Sequence, residues 1–144
     1  MSDPKRVIES FSTLIAWADR LNELDDATWF KPLAEGKASI AEVISHLLYW
    51  DRYFITNVVL AAVRGEEIAY PDFDPFNAEA YKYAKSGISR KQLLWELSAT
   101  RAELCRMLLA LGEGMPSALA HTIQESTDHD LHHRNQIDGI LNQR

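Results

Sequence analysis

A single cysteine, Cys105, stands in a chain of 144 residues. No intrachain disulfide is available, so the core alone must hold the fold. That usage fits a reducing, cytoplasmic compartment. Positive charge is also scarce: 15 basic residues face 21 acidic ones, for a formal net charge of −6. A nucleic-acid surface needs the opposite balance, clustered on one face, so no nucleic-acid partner is expected. No stretch approaches the ~18 uncharged apolar residues of a membrane span, and no membrane partner is expected either. The opening MSDPKRVIES lacks the apolar core of a signal peptide. Phosphate loops, dinucleotide fingerprints, repeats and low-complexity tracts are missing too. No alternating strand pattern competes with helix anywhere.

What is present reads as one α-helical domain spanning residues 1–144. That length can bury roughly two-thirds of its unfolded surface. Asp3-Pro4 has the form of an N-cap followed by proline at the first helical position. Val7, Ile8, Phe11, Leu14, Ile15, Ala18 and Leu21 follow at helical spacing, and this first helix should fade near Leu24. DDATWFKP reads as a polar and aromatic linker. Ser39 and Glu42 match a capping box, opening a second, largely apolar helix that should stop at Gly65. Ser89 and Gln92 match another, opening a leucine-rich third helix with a stop at Gly112. Thr122 and Glu125 match a third box, although the last helix could also begin at Ser117; it should run to about Asn142. Four such helices imply a four-helix bundle. The segment between Gly65 and Ser89 holds a turn-like YPDFDPF and a short helical NAEAYKYAK. It exceeds the ~15 residues beyond which connections are uncommon and often functional. It can cross the bundle's length, so the second and third helices can run parallel.

Three of the five histidines lie in TDHDLHHRNQ. His129 and His133, at i and i+4, share one helix face with Cβ atoms about 6 Å apart, close enough for both rings to reach one metal ion. Their stripe continues through Ser126, Gln136 and Ile140, passing from polar to apolar, so it points partly inward. A third ligand is available in His46, inside the apolar ISHLLYWDRYF of the second helix. At 1.5 Å per residue it sits about 10 Å from that helix's start. His133 lies about 14 Å from the end of the last helix and His129 about 10 Å from its start, so the depths match whether the two helices are parallel or antiparallel. Trp50 and Tyr53 lie on or near the His46 face and are candidate pocket walls. His121 and His132 fall away from the cluster.

Other readings stay open. A buried histidine alone also fits a core residue bonded to a carbonyl, and His-x-x-x-His alone is a weak signal. A di-metal carboxylate site needs Glu-x-x-His on two helices, which this chain lacks. A zinc hydrolase would need Asp130 to act where a longer glutamate normally stands. Cys105, on the third helix, reads as a small apolar filler.

ISHLLYWDRYF together with His129, His133 and Gln136 in HDLHHRNQI resembles the DinB-like superfamily, which includes YfiT-like proteins, across nearly the whole chain. The resemblance implies an up-down-down-up four-helix bundle with a long second-to-third crossover. It implies a divalent metal held by His46, His129 and His133; imidazole donors make zinc or nickel the expected ion, and helix geometry allows Glu125 and Asp130 as acceptors for an imidazole N–H, with Gln136, one turn beyond His133, as a further outer partner. It further implies a transferase that activates a low-molecular-weight thiol toward an electrophile. A non-catalytic metal-binding or stress-related bundle is the alternative. A homodimer is a further expectation, because buried aromatics could continue into an interface.

Overall fold

A computed structural model describes residues 3–143. The fold is all-α, and among the described residues it consists of eight α-helical segments rather than four unbroken helices. Two of them, α1 (Pro4–Ser12) and α2 (Leu14–Asp19), make one column that tapers into a 3-10 turn ending at Glu23. Asp3 caps it by accepting from Lys5 N–H, with Pro4 at the first position. The break at Thr13 falls beside the Phe11 carbonyl, which accepts a hydrogen bond from Arg101 Nη1 at 2.9 Å. A side chain entering the backbone ladder is a recognised cause of such breaks.

DDATWFKP is not a linker. Asp25 caps a short helix, α3 (Asp26–Phe30), by accepting from Thr28 N–H, and Trp29 on it is fully buried. The second column comprises α4 (Ile40–Tyr53), one π turn (Phe54–Val58) and α5 (Val59–Val63). Both halves of the Ser39–Glu42 capping box form. Gly65 ends this column with φ +72°, a left-handed turn that favours glycine.

The crossover carries α6 (Phe73–Ala84), which begins inside the stretch expected to be a turn. Pro75 sits in its first turn, where the missing N–H costs nothing. Next come α7 (Arg90–Leu111), capped by Ser89, and α8 (Ser117–Leu141). The capping box expected at Thr122 does not exist. That residue lies inside α8, and its hydroxyl donates to the Ala118 carbonyl.

Two buried clusters fix the direction of each column. One joins Leu14–Leu21, the first half of α4, Leu93–Leu97 and Ile137. The other joins Val7–Phe11, Phe54–Ala62, Leu104–Leu108 and Leu119–Ile123. Thus α4–α5 and α7 run parallel to each other and antiparallel to α1–α2 and α8. That parallel pair requires a connection traversing the molecule's length, and α6 packs on α4 along this path. The early part of α4 therefore meets the later part of α8, which brings His46 toward His129 and His133.

Candidate metal centre

His46 sits mid-way along α4, buried, while His129 and His133 stand one turn apart on α8. Their ring centroids form a compact triangle: 5.3 Å from His46 to each of the others and 4.5 Å between those two. One nitrogen from each ring lies within 4.8 Å of the other two. The Nε2 atoms of His129 and His133 are 3.1 Å apart. Two nitrogen ligands of one tetrahedral zinc ion, at 2.0–2.1 Å, would be about 3.3 Å apart.

Protonation suits the same use. Burial pulls His46 down to about 4, against the Asn77 hydrogen bond that raises it, and His129 lowers it further. Burial and then the neighbouring imidazoles pull His133 down to about 4. Burial also lowers His129, against the nearby Asp130. All three rings are neutral at pH 7, the form that ligates metal. Three imidazoles crowded together in their neutral form make a donor set that a cation would satisfy.

The orientation of His46 comes from the crossover. Asn77, on α6, approaches His46 Nδ1 through Oδ1 at 2.8 Å and Trp50 Nε1 through the same oxygen at 3.1 Å. An indole N–H can only donate, so the atom facing it must be the amide oxygen. His46 Nδ1 must then carry the proton and donate as well. That leaves the His46 Nε2 lone pair free, the ring arrangement that an outer partner commonly imposes on a metal-ligating histidine.

A family model for the DinB superfamily matches residues 14–137. The chain belongs to the DinB superfamily. No curated protein and no solved structure matches it. In this DinB chain the matched span contains all three clustered histidines, His46, His129 and His133, and the whole crossover.

The remaining sequence-derived candidates fall in different places. Asp130 acts on His129 only through its nearby charge, and its hydrogen bonds go to Arg101. It is buried, with Oδ2 2.7 Å from Arg101 Nη1 and Oδ1 3.4 Å from Nη2. The hydrolase arrangement thereby loses its base. Glu125 lies one turn before His129 and pairs with His121 at 3.2 Å. Gln136 lies beside His133 and raises its pKa against burial. Trp50 lines a cavity of about 440 Å³ that shares His46 and His129 with the histidine cluster. Tyr53 stands behind this wall: its ring packs on Trp50 at 5.8 Å, and its hydroxyl donates to the Ala69 carbonyl. Cys105 is buried, and burial pushes its thiol up to about 11, which suits a filler rather than a nucleophile. His132 and His121 are exposed.

Sequence reasoning missed Asn77 and a buried charge cluster centred on Arg101. Arg101 Nε and Nη2 grip Asp51 at 2.7 and 2.9 Å, while Nη1 also reaches the Phe11 carbonyl. The guanidinium lies 3.7 Å from the Phe11 ring centroid. Burial pushes the Asp51 carboxyl up to about 6 against the pull of Arg101. Two carboxylates hold the Arg101 guanidinium above its ordinary range despite its burial. This cluster pins α1, α4, α7 and α8 together directly behind the cavity.

Proposed function

We propose that His46, His129 and His133 bind one divalent metal ion, zinc or nickel, and that the centre serves a transferase using a low-molecular-weight thiol. The observation that carries this reading is the convergence of three neutral imidazoles, one oriented by Asn77, at the edge of a cavity. Imidazole donors suit both metals. A divalent ion there supplies positive charge that favours the thiolate form of a thiol, a strong nucleophile near neutral pH.

The chain's own residues support such a reaction in three ways. Asn77 fixes the His46 ring so that one nitrogen faces the cluster. Trp50, Phe54 and Phe73 give the cavity apolar walls that hold an electrophile and exclude water. The Arg101 cluster anchors α4 to α8, keeping His46 in register with the two histidines opposite. Three histidines would hold the ion with fewer protein ligands than a closed structural zinc site uses, which would suit a catalytic role.

The test is turnover with candidate thiols and a chromogenic electrophile. Activity should saturate with thiol, require metal, and vanish in His133→Ala. Full metal occupancy with no thiol-dependent turnover and no thiol affinity would instead assign a non-catalytic metal-binding role.

A further inference from the structure

The cavity beside the histidines has an unusual charge pattern. Its lining includes one side chain with a permanent positive charge, Arg101, and three carboxylates, Asp51, Asp130 and Glu125. A guanidinium has five N–H donors. Arg101 makes five hydrogen bonds: two to Asp51, two to Asp130 and one to the Phe11 carbonyl. None remains to receive a ligand. With these carboxylates ionised, the lining has a formal charge of −2 when the imidazoles are neutral. An entering carboxylate, sulfonate or phosphate would lose water and find no cationic side chain ready to replace it.

Apolar surface makes the opposite offer. Trp50 forms one wall, with Phe73 packed edge-on against it at 5.5 Å and Tyr70 at 6.3 Å. Phe73 and Tyr70 are among the most exposed aromatics of the described residues, at 59% and 45%. They stand where the crossover passes the cavity. Large exposed rings gathered at a cavity's edge mark a place where apolar ligand surface can be covered.

We propose that this cavity receives an apolar, aromatic-sized group carrying no negative charge, and that this group is the electrophilic half of the substrate pair. The inference rests on the metal-centre reading only for that last assignment. The charge selectivity belongs to the cavity itself. A thiol carrier that reaches the histidines must therefore keep its own carboxylates outside this space.

The experiment uses the 144-residue chain with 5-fluorotryptophan at its four tryptophans. The Trp50 ¹⁹F resonance is assigned through Trp50→Phe. Benzyl alcohol, benzyltrimethylammonium and benzenesulfonate are titrated into zinc-loaded and chelator-treated protein; sulfonate is a weak zinc ligand, so the metal does not dominate the comparison. The expected result is saturable shifting of Trp50 by the neutral and cationic probes. Benzenesulfonate should bind at least tenfold more weakly in the chelator-treated protein, and Glu125→Gln should narrow that gap about threefold. Benzenesulfonate within tenfold of benzyl alcohol in the chelator-treated protein, or no probe moving Trp50, overturns the inference. Because chelator-treated protein is one arm, this outcome is independent of metal binding. Failure of the metal reading would appear separately, as absence of bound zinc.

Discussion

Replacing Asn77 with alanine tests how the crossover contributes to the site. One oxygen accepts from both His46 Nδ1 and Trp50 Nε1, at 2.8 and 3.1 Å. Its loss leaves the His46 ring without its tautomer-fixing partner and the indole N–H without an acceptor. Outer partners of this kind typically contribute 10–100-fold to metal affinity, about 1.4–2.8 kcal/mol. The two lost hydrogen bonds should also destabilise the fold by about 1–3 kcal/mol, most of it from the buried His46 side. Competition against a chromophoric chelator at fixed pH reads the first quantity, and urea unfolding of metal-free protein reads the second. Asn77→Asp keeps the acceptor oxygen and should recover most of the metal affinity, which a merely structural role would not require. A folded Asn77→Ala protein with unchanged metal affinity, or an aspartate variant no better than alanine, would refute this assignment.

Arg101→Met strands Asp51 and Asp130 in the core, and breaking a buried pair this way costs about 3–5 kcal/mol. Urea titration should show that loss, and adding Asp51→Leu and Asp130→Leu should return much of it; a single variant as stable as wild type contradicts the cluster's role. Acid should weaken the metal-free protein in a defined window. His46 falls from 6.5 unfolded to about 4 folded, so the unfolded chain binds more protons between those values. Its contribution is fully present above about pH 6.5, declines as pH drops toward 4 and levels off below, a change of about 3 kcal/mol. Denaturant midpoints across pH 4–7.5 should flatten in His46→Gln; identical profiles in both proteins would refute the assignment. Ser39→Ala removes the capping box that starts α4 and should cost about 1 kcal/mol of stability, measured by the same titration.

Local rules carried the sequence reading where the signal was local. Caps at Asp3, Ser39 and Ser89 have the expected side-chain acceptors because each is set by residues two or three apart. The histidine grouping was accessible for a similar reason. Helical spacing joins His129 to His133, and depth along two helices then admits His46 without knowledge of any contact.

Features that depend on distant pairing were not readable. Arg101 in ATRAELC looks like a solvated charge, and only Asp51 and Asp130, from two other helices, make its burial tolerable. Asn77 lies in a crossover with no clean period, and its importance comes from an α4 partner 31 residues away. The Thr122–Glu125 pattern misled because the same residue types also occur inside helices. Pro116, one residue before α8, was the better signal of its start.

The proposed centre joins three histidines from two helices around one metal ion. Elemental analysis by mass spectrometry tests it most directly, on untagged protein purified without chelator beside a His129→Ala/His133→Ala variant, each measured again after zinc and nickel are added back. Close to one equivalent of metal per chain is expected in the wild type and almost none in the folded variant. A wild type that stays empty after add-back, or a variant that keeps its metal, would contradict it.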